Sequence, residues 1–246
     1  MTESVFRLKD IFVYGFGLLT VFSFLWGSFV FYKKAIESHF EDMNILDAIV
    51  ISAFWAFIGG RIVFGILNWG TFASHLPRIF LITDYPGIDR WGAVMGIAFG
   101  IGLTIRKIKA HFLDWFDLAC LGILGGETIF LTGLLVLTRS FNYLILAILE
   151  LAFFSLFWQM EDKYRTYGWY RGKRNSARSG LISGFAISFW GISSGLQQIL
   201  FKEIRNGGVL WAGLLLVGGL ILVYIRSGRT VAEDIKNIFK SKNGRK

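Results

Sequence analysis

Apolar residues in this chain come in long runs. Uncharged or nearly uncharged stretches occur at Ile11 to Phe31, Ala48 to Asn68, Trp91 to Ile105, Phe112 to Leu137, Phe141 to Met160, Leu181 to Phe201 and Val209 to Ile225. A helix crossing a hydrocarbon layer of about 30 Å needs roughly 20 apolar residues. Apart from the shorter third stretch, each run meets that length, so the pattern predicts about seven transmembrane helices in an all-α integral membrane protein. The segment Leu76 to Ile82, following His75, is too short to span and carries Pro77 and Arg78. It is expected at the outer interface. From Thr230 to Lys242, Val231, Ile235, Ile238 and Phe239 fall at helical spacing, with Thr230 and Glu233 spaced as a capping box. That tail reads as a basic amphipathic helix on an anionic membrane surface. The expected organisation is a membrane domain over 1–228 and a cytoplasmic tail over 229–246.

Composition agrees with lipid as the solvent. Of 246 residues, 54% are hydrophobic and 17% charged, where a soluble domain carries about 25% charged residues. Two prolines against 29 glycines fit uninterrupted helices that use small residues for close contact. The single cysteine, Cys120, offers neither a disulfide framework nor a redox pair.

The net charge of +9 suggests nucleic acid until its distribution is considered: no basic cluster interleaves with a platform of aromatics. Lysine and arginine fall instead at alternate loops. With the N-terminus outside, eighteen lie on the cytoplasmic side, in Lys33–Lys34, Arg106–Lys109, Lys163–Arg178 and the tail from Arg226 to Lys246. Seven lie outside: Arg7, Lys9, Arg78, Arg90, Arg139, Lys202 and Arg205. The positive-inside rule selects N-out, C-in. The first stretch ends around Val30 to Lys34 without a small-residue cleavage pattern, so it is expected to stay as an anchor.

Three charges within the apolar runs qualify as candidates, Arg61, Glu127 and Glu150. A charge at a helix centre costs about 2.5–3.5 kcal/mol on insertion scales, so such residues face a bundle interior or wet cavity. Arg61 follows Gly59 and Gly60, whose lack of side chains lets a backbone or lipid headgroup approach. It reads either as an anion anchor or as a side chain reaching for the interface. Glu127 follows Gly125-Gly126, and Glu150 lies mid-way along the fifth stretch. Each suits either a Glu–Arg pair between helices or proton transfer. Tyr14 stands at the head of the first helix, as an interfacial aromatic or a site residue. His39, His75 and His111 fall in loops with no carboxylate at ligand spacing, so no metal is expected. Neither a G-x-S-x-G elbow nor a P-loop occurs.

The order of these features resembles the bacterial prolipoprotein diacylglyceryl transferases, seven-helix, N-out enzymes of the inner membrane. They move diacylglyceryl from phosphatidylglycerol to a lipoprotein cysteine. Tyr14-Gly15 and Gly59-Gly60-Arg61-Ile62 with Phe64 are the best local matches. Leu76-Pro77-Arg78-Ile79, Gly125-Gly126, Glu150 and Ser179-Gly180-Leu181 follow in the family's order. There are departures. Trp91 stands where the family has the histidine of its His-Gly-Gly, Glu127 where it has an arginine, and Trp190 where it has a second arginine.

The resemblance implies a transferase without a cofactor, acting on phosphatidylglycerol and a prolipoprotein signal peptide in the bacterial cytoplasmic (inner) membrane. Displacing glycerol phosphate needs fixed positive charge at the phosphate and a base for the thiol. Arg61, with Gly59 and Gly60, would hold the headgroup, joined by Arg78, Arg90 and Arg139. Tyr14, Glu127 and Glu150 would serve the proton. Trp91, Glu127 and Trp190 also fit a catalytically inactive lipid-binding or assembly protein of the same fold. An unrelated channel or carrier is a third reading, resting on the intramembrane charges alone.

Overall fold

The computed structural model describes residues 4–8, 11–73, 76–81, 85, 87–162, 179–202 and 206–227. Among them are seven helices of 19 to 27 residues: α1 (Gly15–Glu37), α2 (Asp42–Leu67), α4 (Arg90–Ile108), α5 (Phe112–Thr138), α6 (Phe141–Glu161), α7 (Leu181–Leu200) and α8 (Asn206–Ser227). A four-residue α3 (Trp69–Phe72) and a 3-10 turn (Leu76–Phe80) connect α2 to α4. The protein is an all-α integral membrane protein, and among the described residues five helices are long and apolar enough to cross a bilayer. Their outward residues include Val50, Leu67, Val136, Phe141 and Leu214, each more than two-thirds exposed, as helices surrounded by lipid require.

Several of the predicted boundaries move. The first helix begins at Gly15, not Ile11: Ile11–Tyr14 forms a short strand, β2, pairing antiparallel with β1 (Ser4–Leu8). Tyr14 therefore precedes the helix it was expected to open. The interfacial segment is a 3-10 turn ending at Phe80. The basic loop 163–178 and the amphipathic tail from Thr230 lie outside the described residues.

Several helices stop on residues other than glycine. His39, Lys109, Arg139 and Lys202 have φ between 51° and 61°, a left-handed conformation that side chains disfavour. Each follows closely on a helix end, where one such residue turns the chain and lets its N–H meet an orphan carbonyl. The amide of Arg139 donates to Leu135 O at 2.8 Å and that of His39 to Ile36 O at 2.8 Å. Three of the four are cations at the negative end of a helix dipole.

The chain divides into two compact units, Ser28–Phe116 and Met1–Gly27 with Asp117–Lys246. In the first, α2 and α4 run antiparallel. A methyl at Gly92 would meet Gly59 O, one at Gly96 the backbone of Trp55 and Ala56, and one at Gly100 the backbone of Ser52. The seam ends with Lys107 Nζ 3.2 Å from Asp47 Oδ2. In the second unit, α7 and α8 also run antiparallel through glycine: Gly191 lies against Ala212 and Leu216, and Gly219 against Ser188 and Gly184. Here α5 meets α1 at Gly122 and Gly126, which face Gly27 and Ser23, and Ser23 Oγ donates to Gly126 O at 2.7 Å. Lipid gives little hydrophobic drive between helices, so such close backbone approach supplies the contact energy.

Candidate functional site

Arg61 lies in the last two turns of α2 and is fully buried. It does not reach outward to an interface. The glycines before it account for the close surroundings. Gly59 abuts Gly92 of α4, and Gly60 is covered by Ile88 and Asp89 of the loop returning to α4. The loop is tied down by Asp89 N–H donating to Gly60 O at 3.0 Å. The Asp89 carboxylate in turn caps α4 by accepting from Gly92 N–H at 2.8 Å.

This loop brings two backbone carbonyls to the guanidinium. Nη1 donates to Tyr85 O at 2.9 Å and to Gly87 O at 2.5 Å. An aromatic wall completes the setting. The guanidinium carbon lies 5.3 Å from the centre of the Phe64 ring. Phe64 meets Phe72 edge-on at 6.1 Å, and Phe72 meets Tyr85 at 5.3 Å. On the far edge of the guanidinium, Nε and Nη2 are buried without a hydrogen-bond partner among the described residues. Those two nitrogens carry three N–H groups in a fixed fork. Burying them unmatched is costly, and an anion would match them in pairs.

The other predicted cations differ in placement. Arg78 is exposed on the 3-10 turn. Arg90 opens α4 with its guanidinium 5.1 Å from the Trp91 ring centre. Arg139 is exposed and ends α5 in the left-handed conformation. The structure brings Gly59, Gly60 and Arg61 into one cluster and does not place Arg78 among Arg61's partners.

In the other unit, Glu127 of α5 accepts a hydrogen bond from the Trp190 indole of α7 at 2.9 Å. The two positions where the resemblance places arginines are thus in contact here, occupied by an acid and a neutral donor. Glu150 of α6 is fully buried and accepts from Ser193 Oγ of α7 at 3.1 Å. The α6–α7 contact is extended by Phe153 stacked on Phe189 at 4.1 Å. The Tyr14 side chain lies outside the described residues.

Two features escaped the reading of the sequence. Asp117, inside the fourth apolar run, is buried and caps α7 from a distance, accepting from Gly180 N–H at 2.7 Å and Ser183 N–H at 2.8 Å. Its signal was an aspartate in an otherwise apolar stretch, together with a helix start at Leu181 that has glycine at its N-cap and no side-chain cap of its own. The carbonyls of Tyr85 and Gly87 gave no signal, because backbone acceptors have no signature in sequence.

The model of the prolipoprotein diacylglyceryl transferase family matches residues 3–135, more than half of the chain. Phosphatidylglycerol–prolipoprotein diacylglyceryl transferase 2 of Clostridium perfringens (strain 13 / Type A) is 26% identical over 121 residues, covering 49% of this chain and 45% of that protein. The phosphatidylglycerol–prolipoprotein diacylglyceryl transferases of Staphylococcus aureus strains Newman and N315 are each 29% identical over 104 residues, covering 42% of this chain and 37% of theirs. Each alignment thus spans less than half the length of the relative. The family match takes in Tyr14, the Gly59-Gly60-Arg61 cluster with its carbonyl loop, and Glu127. It stops short of Arg139, Glu150 and Trp190. With matched residues that include the whole of the unit holding Arg61, the chain belongs to the prolipoprotein diacylglyceryl transferase family.

Proposed function

We propose that this protein transfers the diacylglyceryl group of phosphatidylglycerol to the cysteine thiol of a prolipoprotein signal peptide, in the bacterial cytoplasmic membrane. The thiolate sulfur attacks the glyceryl carbon that bears the phosphate ester. A C–S thioether bond forms, the C–O bond breaks with its electrons going to oxygen, and glycerol phosphate leaves. The thiol proton passes to a base.

One observation carries the reading: Arg61 is fully buried, with Nη1 held by two carbonyls and Nε and Nη2 left with three N–H groups for an anion. A buried guanidinium aimed at a phosphate favours the departing, doubly charged glycerol phosphate more than the singly charged phosphodiester, which lowers the barrier. Gly59 and Gly60 let α4 and its loop close around that cation. Arg78, Arg90 and Arg139 serve as further cations for headgroup and leaving group, and Tyr14, Glu127 and Glu150 as the groups through which the thiol proton moves. The seven long helices form a membrane domain over 1–228, N-out and C-in as the basic loops suggest, with 229–246 as a cytoplasmic basic helix.

The test is direct. Purified protein in phosphatidylglycerol nanodiscs with a lipobox-bearing peptide should release glycerol phosphate, and the peptide should gain the mass of one diacylglyceryl group. Arg61→Ala should lower both on the order of 10²-fold or more. Intact wild-type protein that releases no glycerol phosphate would overturn the proposal.

A further inference from the structure

We infer that Gly87 is a positioning residue for Arg61: its carbonyl fixes the rotation of the guanidinium so that the Nε–Nη2 edge, rather than the Nη1–Nη2 end, meets an anionic lipid phosphate. The inference rests on the proposed reading of Arg61 as the phosphate anchor and adds which edge of it binds and what holds that edge in place.

Three constraints meet at this glycine. Its φ is +149°, a backbone conformation that side chains rarely adopt. A Cβ built on it would lie 2.5–2.6 Å from Phe64 Cε2 and Cζ, so no larger residue fits while that ring keeps its place. Phe64 cannot give way cheaply, because it also flanks the guanidinium and packs on the buried Phe72. The Gly87 carbonyl then accepts from Nη1. Tyr85 O takes a second bond from the same nitrogen, which leaves Nη1 no donor to offer a ligand. A guanidinium anchored at one nitrogen presents its opposite edge, and a phosphate oxygen pair matches that edge with two parallel N–H bonds. Lysine in this place would lack the second bond.

The geometry makes Gly87 act only through Arg61, and a double-mutant cycle reads that dependence. Full-length protein in detergent micelles is titrated with spin-labelled phosphatidylglycerol, and with spin-labelled diacylglycerol as the phosphate-free control. Arg61→Ala should weaken phosphatidylglycerol binding and leave diacylglycerol unchanged. Gly87→Ala should weaken phosphatidylglycerol about tenfold, the scale of one charge-assisted hydrogen bond. Added to Arg61→Ala, it should weaken binding no further. If Gly87→Ala fails to fold, an ester in place of the Gly87–Ile88 amide makes the carbonyl a poorer acceptor without adding a side chain, and should give a smaller loss of the same kind. If Arg61→Ala leaves phosphatidylglycerol affinity intact, the anchor reading falls, and the positioning role with it. If Arg61→Ala weakens binding but the Gly87 changes do not, or do so equally in the Arg61→Ala background, the positioning role alone is overturned.

Discussion

The two units pack their helices by the same device and then bury opposite charges. Between α2 and α4, and again between α7 and α8, glycine lets one backbone rest on the next. What lies beside the seam differs. In residues 28–116 it is a cation whose hydrogen bonds go to neutral carbonyls, with three N–H groups unspent. In the other unit it is a set of carboxylates, each taking hydrogen bonds from neutral donors: Glu127 from an indole, Glu150 from a hydroxyl, Asp117 from two amides. The family match covers the cation's unit in full but only α1 and most of α5 in the other, with the two N-terminal strands. Of the three departures from the family's pattern, Glu127 and Trp190 meet where α5 contacts α7, while Trp91 lies in α4 of the cation's unit.

The shared device breaks most sharply at its tightest point. Gly96→Leu drives a side chain into the backbone of Trp55 and Ala56 and should cost on the order of 3 kcal/mol or more. Gly191→Leu, against Ala212 and Leu216, should behave alike in the second unit. Gly17→Ala, with open space around it, should leave stability nearly unchanged. Thermal unfolding in detergent, followed by monodisperse elution, compares the three. If Gly96→Leu unfolds like wild type, the two seams are not alike.

Next in size is the cation itself. Arg61→Ala should lower glycerol phosphate release on the order of 10²-fold or more, the scale of losing one fixed electrostatic contact to the transition state. Arg61→Lys should recover little, since an ammonium offers no paired edge. Full activity in Arg61→Lys would show that charge alone suffices.

The sequence revealed the seven long helices because each needs a run of apolar residues, and it revealed Arg61 because a charge within such a run needs a reason. It also indicated that Gly59 and Gly60 would admit a close neighbour, which proved to be α4 and its loop. What it could not reveal was who answers each charge. Arg61 is met by backbone carbonyls, which any residue type supplies, and α7 is capped by Asp117 from more than sixty residues away. Helix ends carried no glycine signal for a related reason. The rule that glycine ends helices has a polar exception, and here His39, Lys109, Arg139 and Lys202 take that place.

The contact between Glu127 and Trp190 separates structure from chemistry. Trp190→Phe removes the indole donor to the half-buried Glu127 and should cost about 1 kcal/mol of stability, the net worth of one such hydrogen bond. Glu127→Gln keeps an acceptor for the indole and removes the charge. If Glu127 moves the thiol proton, this variant should keep its unfolding temperature and lose about 10²-fold or more in turnover. Turnover within a few-fold of wild type would remove Glu127 from the candidate proton carriers and leave Glu150 and Tyr14.

The smallest effects test whether burial sets the worth of the carboxylates. Asp117 is buried and holds two amides at the start of α7. Asp117→Asn keeps one acceptor oxygen and loses the charge that favours a helix N-terminus, so it should cost about 1 kcal/mol. Asp47 makes its ion pair with Lys107 where both side chains are well exposed. Water screens that pair, and ordering two long side chains offsets much of its attraction, so Lys107→Ala should change stability by less than about 0.5 kcal/mol. Unfolding in detergent at two salt concentrations compares them: the Asp117 loss should persist in high salt while any Lys107 loss fades. Equal losses at both sites would mean that the second unit's carboxylates gain nothing from their enclosure, and that the contrast between the units lies in the cation alone.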